Sequence, residues 1–385
     1  MNPLDIPLAV YLHFPWCVSK CPYCDFNSFA NKEAQLPEQR YLDSLMADLA
    51  AQRERFAIER PIVSVFMGGG TPSLFSPDAM ARVMDFLRAN FQLVEGIEVT
   101  MEANPGTLER GRFQAYREAG ISRVSLGVQS FDDAKLKRLG RIHCAADACR
   151  AAEELHAAGL QNFNLDLMNG LPEQSVASAE ADVAAALALR PAHLSHYQLT
   201  MEPGTPFAAD PPALPDDDNI ATMLQECQAV LASEGLSRYE VSAYARDGRR
   251  CRHNLNYWSF GDYLGAGAGA HGKLTTAAGI QRTQQTREPR RYMSTAVEAL
   301  TVSTVVAPQL PFEFMLNGLR LLGGFTTAEF RSRTGLDWAA VAAAWEHGVR
   351  AGLLRSTPDD RHCATPRGFD FLNDALVGFL PGARG

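Results

Sequence analysis

Strand-like and helix-like segments alternate from residue 8 to about residue 199, which predicts an α/β chain built on a partial (β/α)6 barrel. Near residue 309 the pattern changes to helix–helix–helix with a strand pair, which predicts a winged-helix-like α+β domain at the C-terminal end. A third observation supports the barrel. The polar residues that look functional stand at the carboxyl ends of the predicted strands, where α/β barrels build their sites. Six strand–helix units are too few to close an eight-stranded barrel, so one side stays open and admits a bulky substrate.

The elements follow in order. Strands are expected at 8–14, 63–67, 98–102, 123–128, 162–167 and 193–199. Helical patterns occupy 37–56, 77–91, 108–119, 145–158 and 178–189 between them. Ser76 before Pro77 reads as an N-cap followed by proline at the first helical position, and Gly120 and Gly159 read as helix-ending glycines. Cys17, Cys21 and Cys24 follow strand one, and Gly68-Gly-Gly-Thr71-Pro follows strand two. Glu102 ends strand three, Gln129 and Ser130 follow strand four, Asp166 lies late in strand five and Gln198 late in strand six. Residues 203–218, rich in proline and acid, read as a surface loop before a helix at 219–234. Short strands are expected around 239–243, a basic and aromatic loop at 247–258 and a glycine-rich turn at 265–272. The last segments are helices at 312–322, 327–334, 339–351 and 368–376, with a strand pair at 361–365. These elements divide the chain into a barrel (1–200), an extension (201–308) and the winged-helix-like domain (309–385).

Composition narrows the function. The net charge is −8 and no basic stripe runs along a helix, which argues against nucleic acid and against a polybasic membrane contact. No apolar run is long enough to span a membrane, and the N-terminus lacks the basic region of a signal peptide. A cytoplasmic address follows as the expectation. Cys144, Cys149, Cys227, Cys251 and Cys363 are scattered and read as small apolar residues in a reducing compartment.

The spacing C-x3-C-x2-C at Cys17, Cys21 and Cys24 suits three corners of a cubane iron–sulfur cluster. Position 26, where a fourth cysteine could stand, is Phe26, so one iron keeps an open corner. Zinc favours paired C-x2-C knuckles and four ligands, and no second pair lies nearby. Three glycines after a buried strand let a ligand approach the backbone, or simply make a tight turn. Glu102 and Asp166 could accept hydrogen bonds from ribose hydroxyls or an ammonium. Arg141 could face a carboxylate or be a structural salt-bridge partner. Residues 251–258, Cys-Arg-His-Asn-Leu-Asn-Tyr-Trp, have two readings. His253 could ligate haem iron, with aromatics on the macrocycle and Arg249, Arg250 and Arg252 at its propionates. Alternatively the stretch is a solvated basic loop with a core tryptophan. His271 in its glycine turn is a weaker candidate ligand. His13, four residues before Cys17, projects near the cluster if strand one ends there.

The cysteine spacing resembles that of radical S-adenosylmethionine (SAM) proteins. Together with residues 11–26, Gly-Gly-Gly-Thr-Pro, Ser125-Leu-Gly-Val-Gln-Ser-Phe131 and Leu165-Asp166-Leu-Met, it resembles the oxygen-independent coproporphyrinogen-III oxidase (dehydrogenase) superfamily over nearly the whole chain. Within it, the chain is similar to the haem chaperone (HemW-type) branch. The dehydrogenase branch carries a further cysteine where this chain has Phe26, and a longer arm before the cluster. The chaperone branch carries His-Asn-x-x-Tyr-Trp, present at 253–258. The resemblance implies a 4Fe–4S cluster on Cys17, Cys21 and Cys24. It implies SAM contacts at Tyr11, Tyr23, Gly69, Gly70, Thr71, Glu102, Gln129, Arg141 and Asp166, and haem ligation by His253. It implies partners as well: haem, a haem-acceptor protein such as a respiratory protein, which can be membrane-bound, and a reductant such as a flavodoxin-like donor. The rival activity within the superfamily is anaerobic oxidative decarboxylation of coproporphyrinogen III. Asn169 departs from the family pattern, where an aromatic is commoner, and nothing in the sequence explains it.

Overall fold

The computed structural model describes residues 2–31, 35–106 and 111–382. All six predicted barrel strands form, as β1 (Leu8–Phe14), β2 (Ile62–Gly69), β3 (Leu93–Ala103), β4 (Arg123–Gln129), β5 (Phe163–Asn169) and β6 (His193–Gln198). They pair in parallel and in chain order. The helices between them are α1 (Glu38–Arg55), α2 (Pro77–Asn90), α3 (Phe113–Ala119), α4 (Asp133–Arg138), α5 (Ala145–Ala157) and α6 (Val176–Ala188). The start expected for α3, at 108–110, lies outside the described residues. Ser76 caps α2 as expected, its hydroxyl accepting from Ala79 N at 3.1 Å. Gly120 and Gly159 end α3 and α5 at φ +109° and +74°.

The extension does more than the sequence suggested. Further elements are α7 (Pro206–Ala209), α8 (Asp217–Ser233), β7 (Ser237–Arg238), β8 (Ala243–Ala245), α9 (Arg252–Trp258), β9 (Asp262–Ala266), β10 (His271–Thr276), β11 (Gly279–Gln284), α10 (Pro289–Thr295) and β12 (Thr301–Thr304). One sheet of twelve strands results, in the order β12-β11-β10-β9-β1-β2-β3-β4-β5-β6-β8-β7. Among the described residues its two edge strands do not pair with each other, so the barrel is partial. Two expectations are corrected. The glycine-rich turn at 265–272 is shortened by strands at both ends, because Gly265 and Ala266 belong to β9, which pairs in parallel with β1. A Cβ at Gly265 would stand 1.9 Å from His271 O, so only glycine lets β9 and β10 approach there. The loop expected at 247–258 ends in helix α9. Its cap is remote: Glu98 Oε1 accepts from Arg252 N at 2.8 Å and from His253 N at 3.4 Å. The surface loop before α8 also holds the single turn α7.

Buried polar groups tie this extension to the barrel. Asp48 of α1 is bonded by Gln52, Gln285, Tyr292 and Gly267 N. Tyr41 donates to His13 O at 2.5 Å and accepts from Ala268 N at 3.0 Å. Asp262 is paired with both Arg60 and Lys273. Each of these charges is buried, and each is satisfied by a partner, as a buried charge requires.

The C-terminal part packs α11 (Leu310–Gly318), α12 (Thr327–Thr334), α13 (Ala342–Arg350), α14 (Pro366–Asp370) and α15 (Leu372–Val377) around β13 (Phe325–Thr326), β14 (Leu354–Ser356) and β15 (Arg361–Ala364). The antiparallel order is β13-β15-β14, which adds one strand to the expected pair. Its core includes Phe314, Phe325, Phe330 and Trp345, and it also takes Phe260, Ile280 and Val305 from the extension. Among the described residues, no helix is long and apolar enough to cross a membrane.

Candidate functional site

Two cavities open beyond the carboxyl ends of the strands. The first, of about 770 Å³, is lined by Cys17, Cys21, Tyr23, Cys24, Gly69, Gly70, Thr71, Glu102, Gln129, Arg141 and Asp166. Parallel strands bring their ends to one side of the sheet, which is why Cys17 and Asp166, far apart in sequence, line one cavity. The glycines fit tightly under the cysteine loop. A Cβ at Gly70 would lie 2.6 Å from Trp16 O, and one at Gly69, at φ +109°, would lie 2.3 Å from the His13 ring. Gln129 sits at φ +71°, a strained position for a residue other than glycine, and accepts from Tyr197 OH at 2.7 Å.

The charges of this cavity are tuned by burial. Glu102 Oε2 accepts from Gly69 N at 3.0 Å. Burial, with the nearby charge of Asp166, pushes the Glu102 carboxyl up to about 7. Asp166 is raised by burial too, although Asn164 Nδ2 and Ser125 Oγ donate to it at 2.7 and 3.2 Å. Arg141 donates to Gly127 O at 2.7 Å and reaches Cys21 Sγ at 3.6 Å, while its buried Nε has no partner among the described residues. Burial raises the Cys17 and Cys24 thiols above their ordinary value.

The second cavity, of about 740 Å³, is lined by Tyr11, His13, Phe66, His253, Asn254, Tyr257, Tyr263, His271, Gln284 and Arg287. Asp25, Phe26, Gly69, Glu102 and Trp258 line both cavities and form their common wall. Tyr11, implied as a SAM contact, therefore lies on the His253 side. It stacks near Phe66, at 6.2 Å between centroids, and its hydroxyl is 3.0 Å from His13 Nδ1. His13 turns its other nitrogen to Asn27 O at 2.9 Å, inside the cysteine loop. His253 is buried, with its ring 5.0 Å from that of Phe66 and Nδ1 3.4 Å from Ser64 Oγ. Burial, aided by the Arg123 charge, lowers its pKa to about 3, so the imidazole is neutral at physiological pH.

The expected propionate arginines are corrected. Arg249, Arg250 and Arg252 line neither cavity. Arg252 instead donates to Gly96 O, and Arg250 packs over the Tyr239 ring. Arg249 and Arg250 precede α9 and Arg252 is its first residue. Residues missed in the sequence include Asn104, which donates to Thr71 Oγ1 at 2.8 Å and also binds Arg141, and the pair Arg320–Trp258, with the guanidinium 4.3 Å over the indole. Asn104, two positions beyond Glu102, could have been found by following strand three past its end. Arg320 comes from the C-terminal part and carried no local signal. Ser130 lies outside both cavities and donates to Asp182. Asn169 is buried with both amide atoms unpartnered among the described residues, and the structure does not explain it.

A partial (β/α)6 barrel with three cysteines beyond β1 and a glycine run that ends β2 defines the class: a radical SAM protein. Residues 11–185 match the Radical SAM superfamily and residues 307–371 match the HemN C-terminal domain. The chain is 46% identical over 378 residues to the heme chaperone HemW of Haemophilus influenzae, covering 97% of this chain and 98% of the relative. It is 47% identical over 375 residues to the heme chaperone HemW of Escherichia coli K12, with the same coverage. Among solved structures it is similar to coproporphyrinogen III oxidase (HemN) from Escherichia coli, with a TM-score of 0.81 and 22% identity over 97% of this chain and 90% of that one. At that identity the likeness concerns the fold. The chain belongs to the HemW family of radical SAM proteins.

Membership implies a 4Fe–4S cluster and SAM. The residues fit them: three free cysteines face one cavity, beside a glycine floor too tight for side chains and an arginine nitrogen unpartnered among the described residues. Among the described residues, no three His, Cys, Asp or Glu side chains converge on a point that would hold a single ion. A cubane asks for a different arrangement, because each thiolate binds its own iron atom.

Proposed function

We propose that the protein is a haem chaperone: it binds haem in the second cavity through His253, holds a SAM-ligated 4Fe–4S cluster in the first, and passes haem to an acceptor protein. The observation that carries this reading is the state of His253. It is a buried, neutral imidazole facing a cavity, with Nδ1 directed at Ser64 and Nε2 making no hydrogen bond among the described residues. A neutral imidazole with one nitrogen engaged presents the lone pair of the other to a metal. The aromatic rings of Tyr11, Phe66, Tyr257 and Tyr263 line the same space and suit a planar macrocycle.

In this reading Cys17, Cys21 and Cys24 hold the cluster, which supplies single-electron chemistry when bound. Gly69, Gly70 and Thr71 give SAM a backbone surface. Glu102, Asp166 and Arg141 meet its charged and hydroxyl groups, with Tyr23 and Gln129 beside them. Residues 1–200 carry the cluster, 201–308 the haem motif, and 309–385 cover the open side through Arg320. The setting is cytoplasmic, with an electron donor of flavodoxin type.

Anaerobic haem titration of cluster-loaded protein tests the reading. His253→Ala is expected to weaken haem binding by at least about tenfold while the cluster spectrum stays unchanged. Undiminished haem binding in that variant would remove His253 from the site. Vinyl-bearing product from coproporphyrinogen III, with SAM and a reductant, would replace the chaperone reading with the dehydrogenase.

A further inference from the structure

Haem is an apolar disc with carboxylate arms on one edge. The arginines next to His253 in sequence do not line the cavity, so those arms need another partner. The second cavity has a depth and a mouth of different chemistry. His253 is buried at 8% exposure, among aromatic rings. His271, Gln284 and Arg287 line the same cavity and are exposed. His271 and Gln284 stand opposite each other in the β10–β11 register, and Arg287 follows three residues later. Burial, then the charges of Arg282 and Arg287, disfavour protonation of the His271 imidazole.

Arg287 is the sole arginine or lysine among the described residues lining this cavity. It is also held in place. Its Nε donates to Asn27 Oδ1 at 3.2 Å, and its carbonyl accepts from Asn27 Nδ2 at 2.8 Å. Its two terminal nitrogens make no hydrogen bond among the described residues, so the fork that pairs with a carboxylate is free. The acidic residues of the cavity, Asp25 and Glu102, belong instead to the wall shared with the cysteine cavity. They disfavour carboxylates on that side.

We propose that the mouth formed by His271, Gln284 and Arg287 is a carboxylate-binding edge, which takes the anionic arms of the planar ligand seated on His253 and fixes its orientation. This rests on the haem-binding reading above. Arg287 provides the charge and the fork, and His271 and Gln284 provide neutral donors.

The test is an absorbance titration of cluster-loaded protein with haem and with haem dimethyl ester, which lacks the charged arms. Wild type, Arg287→Ala, Arg287→Lys and His253→Ala are compared. Wild-type protein is expected to prefer the free acid by about fivefold or more. Arg287→Ala should lose that preference by weakening haem alone, with its affinity for the diester and the spectrum of bound haem unchanged. Arg287→Lys should keep part of the preference. A preference in Arg287→Ala equal to that of wild type, with His253→Ala still impaired, overturns the carboxylate edge alone. Wild-type protein that binds neither form overturns both readings.

Discussion

Glu102 offers a quantitative test of the first cavity. Replacing it with glutamine keeps the shape and the oxygen that accepts from Gly69 N, but removes the charge. Moving a carboxyl from its ordinary 4.5 to about 7 penalises the ionised folded form by about 3 kcal/mol at pH 8. The sign follows from proton counting. Between 4.5 and about 7 the unfolded carboxyl has lost its proton and the folded one keeps it, so wild-type stability falls as pH rises through that window. Above it the penalty is constant. In cluster-free, reduced protein, Glu102→Gln should therefore match wild type within about 1 kcal/mol at pH 5 and exceed it by ~3 kcal/mol at pH 8. Urea unfolding from pH 5 to pH 8 measures both curves. Parallel curves, or a variant less stable than wild type at pH 8, would refute the assignment of a strained charge to this cavity. SAM binding should run the other way, weakened in Glu102→Gln because the cation of the ligand loses its carboxylate.

Two other substitutions test how the fold builds the site. Gly69→Ala places a methyl group at φ +109° and 2.3 Å from the His13 ring; it should destabilise by about 1–3 kcal/mol in thermal unfolding and impair both SAM and haem binding. Glu98→Ala removes the remote cap of α9 and takes one of two nearby carboxylates from the buried Arg123 guanidinium, leaving Asp166; it should cost about 2 kcal/mol and weaken haem binding, while iron content and cluster spectrum stay unchanged.

The barrel was legible because its signals are local. Apolar runs of strand length, Ser76-Pro77 and the glycines after α3 and α5 each act within a few residues, and all appear in the structure. The cysteine trio, the glycine run and the strand-end acids were legible for a related reason: parallel strands place their ends together, so position along each strand gives position in the site. The failures are non-local. The helical state of 252–258 depends on a carboxylate 154 residues away in sequence. The strand at 262–266 is hidden because Gly265 reads as the start of the glycine-rich turn, and only the neighbouring backbone at His271 explains that glycine. The direction of Arg249, Arg250 and Arg252 could not be read from a motif, because the first two precede α9 and Arg252 only begins it, so proximity in sequence to His253 does not place them at its cavity. Arg287 was passed over for the complementary reason: it is 34 residues from His253 in sequence and reaches the same cavity only through the β10–β11 hairpin.

The shared wall constrains how the two cavities can work together. Gly69 and Glu102 face both, and Gly69 touches the His13 ring, whose two nitrogens reach Tyr11 on one side and Asn27 of the cysteine loop on the other. A ligand that displaces Tyr11 acts on His13, and a change in the cysteine loop acts on the same ring from the opposite nitrogen. Linkage makes any such effect reciprocal: the factor by which SAM changes haem affinity equals the factor by which haem changes SAM affinity. Delivery of a tightly bound cargo needs two states of different affinity, and only a ligand that discriminates between them can drive release. In the proposed reading, the shared residues Gly69 and Glu102, with His13 packed behind Gly69, are where the two ligands act on common residues. Binding of SAM measured with and without haem, set against the converse titration, therefore has to return one number from both directions.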